Sequence, residues 1–152
     1  MNQAAALRAC FVDDRRDFAV LDSSLRGPQR VAADRQLVAG MQSTGVVSVV
    51  LCARRRSRVA RTAYWLTSAP RIAAARRRIV RAGATLLGLY AVFPDAERPT
   101  ILYELGSPAC AYAERLLLPI QARRFTSIRA FLSRVVGFDP SVGAVIVVGR
   151  VP

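Results

Sequence analysis

The stretch GVVSVVLCA, residues 45–53, is apolar at nearly every position and rich in β-branched side chains. A strand of that kind has no polar side to turn to water, so it must be covered on both faces. ATLLGLYAVF, 84–93, reads as a second buried strand, and ERLLLPIQ, FTSIRAFLSR and GAVIVVGRV are further extended candidates. A shorter apolar run, FAVL, lies between Asp17 and Asp22 and suits a first strand, followed by a turn at SSLRGP.

Helical periodicity separates these runs. From Pro28 to Met41, Val31, Leu37, Val38 and Met41 fall on one face, with Arg30, Asp34 and Arg35 elsewhere, and the helix is expected to end near Gly40. Ser68 precedes Pro70 as a candidate cap for a helix whose apolar side is Ile72, Ala75 and Ile79. Arg77, Arg78 and Arg81 fall on its opposite face, and Gly83 ends it. RVARTAYWL, 58–66, alternates in part through Val59 and Ala63. It is expected to return as an antiparallel neighbour of 45–53, with RRRSR as the turn of a hairpin.

The order is strand, helix, hairpin, helix, strand, then mostly strands. That predicts an α/β or α+β fold: one domain, a mixed sheet flanked by helices, over residues 18–152, with 1–17 as an N-terminal segment. The 152 residues are 53% apolar, and no linker, low-complexity tract or repeat interrupts them. The longest uncharged stretch, 36–53, is broken by Gln36, Gln42, Ser43 and Thr44, which argues against a membrane span. Asp13, Asp14 and Asp17 argue against a targeting peptide. Cys10, Cys52 and Cys110 form no metal or disulfide spacing, so a reducing, cytoplasmic setting is expected.

All 23 basic residues are arginine, and the formal net charge is +13. Guanidinium groups pair bidentately with phosphate or carboxylate, so an anionic partner is one reading. GC-rich codon usage is the other. Two clusters stand out: Arg54, Arg55, Arg56, Arg58 and Arg61, and then Arg76, Arg77, Arg78 and Arg81.

GLYAVFP, at the end of the 84–93 strand, and RPT just beyond it resemble the JAB/MPN metallopeptidase-like domain. There a buried strand ends in a His-x-His-Pro box, with a serine and an aspartate downstream. The two histidines and the aspartate hold zinc, and an upstream glutamate before a strand-opening glycine is the general base. The resemblance runs from about Phe18 to Phe131 in element order, and it is carried residue by residue only by GLYAVFP, PT and the strand opened by Gly45. It implies that Gln42 stands where the glutamate would be, and Ala91 and Phe93 where the histidines would be. Thr100 would take the serine's place, and Tyr103 or Glu104 the aspartate's. Gln42, Ala91, Phe93 and Thr100 should then surround one small pocket, with Phe93 filling the space of the metal.

The chemistry of that family is not available here. A catalytic zinc needs three ligands from His, Cys, Asp or Glu, and the chain has no histidine. Gln42 has the shape of a glutamate without its titratable proton. A Ser-His-Asp or Cys-His site lacks its base, and lysine, the usual substitute, is absent as well. No phosphate-binding loop or dinucleotide fingerprint occurs. No metal or cofactor is therefore expected.

Three functions remain. The first is a metal-free JAB/MPN-like module that binds a protein partner with an acidic surface. The second is a nucleic-acid binder contacting phosphates through the arginine clusters, although Tyr64 and Trp65 are the only aromatic residues near them. The third is a divergent isopeptidase holding magnesium or calcium through Glu104 and Asp95.

Overall fold

The apolar runs become the centre of a single mixed sheet. The computed structural model of the chain describes residues 17–21, 27–53, 58–93, 96, 99–105 and 142–152. In chain order they form β1 (Phe18–Val20), α1 (Gly27–Ala39), β2 (Val46–Cys52), α2 (Arg58–Leu66), α3 (Ala69–Ala82), β3 (Thr85–Phe93), β4 (Ile101–Glu104) and β5 (Ala144–Arg150). ERLLLPIQ, FTSIRAFLSR, Cys10 and Cys110 lie outside the described residues. No helix among the described residues is long and apolar enough to cross a membrane.

The sheet order is β1-β2-β5-β3-β4. β1 and β2 are parallel, which requires a crossover, and α1 supplies it. β5 runs antiparallel to both its neighbours, pairing Val46–Cys52 on one side and most of Thr85–Val92 on the other. β2 and β3 therefore point the same way. β4 closes a hairpin on the far end of β3, from Tyr90↔Glu104 to Phe93↔Ile101. One irregularity interrupts β3: Leu86 pairs with Gly149 and Gly88 with Val148, leaving Leu87 as the extra residue of a bulge. The bulge shifts the alternation so that Leu89 and Ala91 face the helices while Tyr90 and Val92 face away.

Val47, Val49 and Val147 form one buried cluster with Val38 of α1 and Ala75, Ile79 and Ala82 of α3. Val46, Val92, Ala144, Ile146 and Val148 form a second on the opposite face. Val145 and Ile146, adjacent in β5, are both fully buried, as a strand apolar on both sides requires. Ser48, also buried, donates its hydroxyl to Ala19 O of β1.

Residues 58–66 are a helix and not the strand of a hairpin. Arg61, Tyr64, Trp65 and Ser68 fall at i, i+3, i+4 and i+7, and among the described side chains of 61–68 these are the half-buried and buried ones. That stripe outweighs the partial alternation of Val59 and Ala63. Trp65 is buried and donates Nε1–H to Val142 O at 2.9 Å, fastening α2 to the entry of β5. Ser68 stands at the N-cap position of α3, as expected, but its side chain makes no capping hydrogen bond. Its backbone is helical, and its hydroxyl donates to Trp65 O at 2.6 Å, so it joins α2 to α3 at a bend. Gly83, at φ 100°, ends α3 as expected, its N–H donating to Val80 O.

α3 lies against β5 at Gly149, where a Cβ would run into Ile79 Cγ2 and come within 3.1 Å of Thr85 O. Gly149→Ala should therefore destabilise the chain by about 1–3 kcal/mol through overpacking. A denaturant melt of Gly149→Ala, Ile79→Ala and the double variant checks it, and the double variant should lose less than the sum of the singles.

Candidate functional site

The residues singled out by the family resemblance do not surround one point. Gln42 precedes β2, is exposed, and donates its backbone N–H to Asp17 Oδ2 at 2.9 Å. Val46 pairs with Arg150, which pairs with Thr85, so Gln42 sits at the end of the sheet where β3 begins. Cys52 pairs with Ala144, which pairs with Val92, so Ala91 and Phe93 sit at the other end. Six strand residues separate the two levels, about 20 Å. The expected convergence of Gln42 with Ala91 and Phe93 is thus not the arrangement found, because β2 and β3 run in the same direction.

The other positions divide between the two faces. Ala91 is fully buried, pairs with Tyr103 and shares a cluster with Trp65. Phe93 is half-buried at the end of β3, and Thr100 donates its N–H to Phe93 O at 2.8 Å in closing the hairpin. Glu104 pairs with Tyr90 and so lies on the face away from Ala91. The Tyr90 hydroxyl is pushed above its ordinary value, first by burial and then by the Glu104 carboxylate, and it stays protonated at neutral pH. Asp95, the second carboxylate of the isopeptidase reading, lies outside the described residues. Among the described residues no three His, Cys, Asp or Glu side chains are grouped to hold a metal.

The arginines behave differently. Arg54, Arg55 and Arg56 lie outside the described residues, as does the side chain of Arg58. Arg77, Arg78 and Arg81 of α3 turn toward α1 and, with Arg30, Val31, Asp34, Ala74 and Ala82, line a groove of about 180 Å³. The two helices run side by side in the same direction: Asp34 meets Arg78, and Arg35 donates Nε–H to Arg81 O at 3.2 Å. That second contact places a cation on the last turn of α3, where the helix dipole favours it.

At the floor of the groove, Arg78 donates Nε–H to Asp34 Oδ2 at 2.6 Å and Nη2–H to Asp34 Oδ1 at 2.7 Å. Both partners are largely removed from solvent. A bidentate pair of this geometry uses both carboxylate oxygens and cancels one positive charge. Arg30, Arg77 and Arg81 make no ion pair among the described residues, so the groove carries three positive charges on a neutralised floor. Arg30 and Asp34 were not among the residues the sequence singled out. Their signal was the i, i+4 spacing of an arginine and the one acid of α1, which places both on one side of the helix.

Comparison with family models, with curated proteins and with solved structures finds no match to this chain.

Removing Asp34 takes two charge-assisted hydrogen bonds from the Arg78 guanidinium at the helix interface. Asp34→Ala should cost about 1.5–3 kcal/mol, the value of hydrogen bonds to a charged group. A denaturant melt checks it, and Arg78→Met with Asp34→Leu together should recover much of the loss, because an apolar pair leaves no buried charge behind.

Proposed function

We propose that this chain is a binding module without chemistry of its own, and that the α1–α3 groove takes an acidic segment of a protein partner. The observation that carries this reading is the set of Arg30, Arg77 and Arg81, gathered from two helices around one recess whose one carboxylate among the described residues is already matched by Arg78. Unmatched guanidinium groups on a water-exposed, concave surface attract and orient carboxylates or phosphates.

The absence of histidine and lysine from the sequence supports a binding role over a catalytic one, since it removes the usual bases and nitrogen ligands. The JAB/MPN likeness adds no support, because the residues it names lie at opposite ends of the sheet. A protein segment suits the groove better than a duplex does. The recess between two helices admits one side chain or one anionic group at a time, whereas duplex binding draws on many phosphates contacted together.

The test measures binding of a fluorescein-labelled peptide rich in Asp and Glu, and of a random DNA duplex, to the full chain by fluorescence polarisation. The acidic peptide should bind at physiological ionic strength, and Arg77→Gln with Arg81→Gln should weaken it about tenfold, equivalent to about 1.4 kcal/mol. Tighter binding of the duplex, with a log–log salt slope that falls by about 0.9 for each arginine removed, would overturn the reading in favour of nucleic acid.

A further inference from the structure

Resting on the reading of the groove as a site for an acidic protein segment, we propose that the group seated between Arg30, Arg77 and Arg81 is a phosphorylated side chain of that segment. The groove contains its own standard for comparison. Asp34 shows what a carboxylate takes up here: one arginine fork, from Arg78, at 2.6 and 2.7 Å, with both oxygens used. A second carboxylate entering the recess would match one more arginine and leave two.

The positions of the remaining arginines call for a ligand with more acceptors. Arg77 and Arg81 are one turn apart on α3. Arg30 is one turn before Asp34 on α1, and Ala74 is one turn before Arg78 on α3. Because Asp34 meets Arg78 and the helices run in the same direction, Arg30 faces Ala74. The methyl side chain of Ala74 is what leaves the recess open there. An anion in it is approached from α1 on one side and from α3 on the other, so its donors do not share a plane.

A carboxylate offers two oxygens in one plane. A phosphate monoester offers three terminal oxygens in a tetrahedral array and a charge of about −1.5 to −2 at neutral pH. It accepts forks from more than one guanidinium and balances most of the groove's three positive charges. The acidic residues flanking it would supply the remaining charge complementarity along α3.

The experiment uses the full chain and three fluorescein-labelled acidic peptides that differ only at a central serine, glutamate or phosphoserine. The phosphoserine peptide should bind about tenfold tighter than the glutamate peptide, or more, a difference of about 1.4 kcal/mol. Arg30→Gln should bring the two affinities close together without altering the thermal melt. Ala74→Leu, which fills the recess and removes no charge, should do the same. Equal binding of the glutamate and phosphoserine peptides by the unmodified chain overturns this inference and leaves the acidic-segment reading standing. Failure of all three peptides at low ionic strength overturns both. Displacement of the phosphoserine peptide by an equimolar amount of inorganic phosphate also overturns it, by showing that the peptide contributes nothing.

Discussion

The insertion of β5 between β2 and β3 is the constraint on which the rest of the structure depends. β5 pairs along its whole length with both β2 and β3, and it is buried on both faces through Ala144–Gly149. Without it, β2 and β3 would be two parallel strands with no hydrogen-bonding partner between them. With it, the crossover through α2 and α3 spans one intervening strand, and α3 comes to lie over the middle of the sheet. Gly149 is where that placement is tightest, with Ile79 against the bare backbone of β5.

The position of α3 decides what α1 can do. α1 crosses between β1 and β2 at the sheet edge, and it is held beside α3 by the Asp34–Arg78 pair, by Arg35 on Arg81 O and by Val38 in the shared core. A partly buried ion pair of this kind is weak evidence for stability, but its geometry sets how the two helices are aligned along their axes. It also fixes the electrostatics of the interface. One acid cancels one arginine at the floor, and the charges of Arg30, Arg77 and Arg81 remain at the rim. Arg30 is thereby brought beside Arg77 and Arg81, far from it in the chain, at one recess.

The same topology accounts for the failure of the residues around GLYAVFP to form a site with Gln42. Any two positions at the start of β2 and the end of β3 are held apart by the length of the strands, whatever their side chains. Local spacing in QSTG and GLYAVFP carries no information about strand direction. The segment 58–66 shows a related limit. Its partial alternation and its helical stripe are both present, and the burial of Trp65 against Val142, far along the chain, decides between them.

By itself the sequence determined the elements whose signal is local. The apolar runs at 46–52, 85–93 and 144–150 had to be strands, and the periodic segments ended by Gly40 and Gly83 had to be helices, because side-chain period and glycine geometry act over a few residues. The expected burial of 85–93 is only partial, with Thr85 and Leu87 exposed, whereas 144–149 is buried throughout. The sequence also excluded sites that need histidine or lysine, since the chain contains neither residue whatever its fold. The tertiary structure alone decided the strand order, the bulge at Leu87 and the partnership of Asp34 with Arg78. Those depend on contacts between residues distant in the chain, 44 positions apart for the ion pair. In the sequence Asp34 is one polar residue on the outer side of a helix. Only the neighbouring helix buries it, matches its charge and turns the arginines around it into a groove.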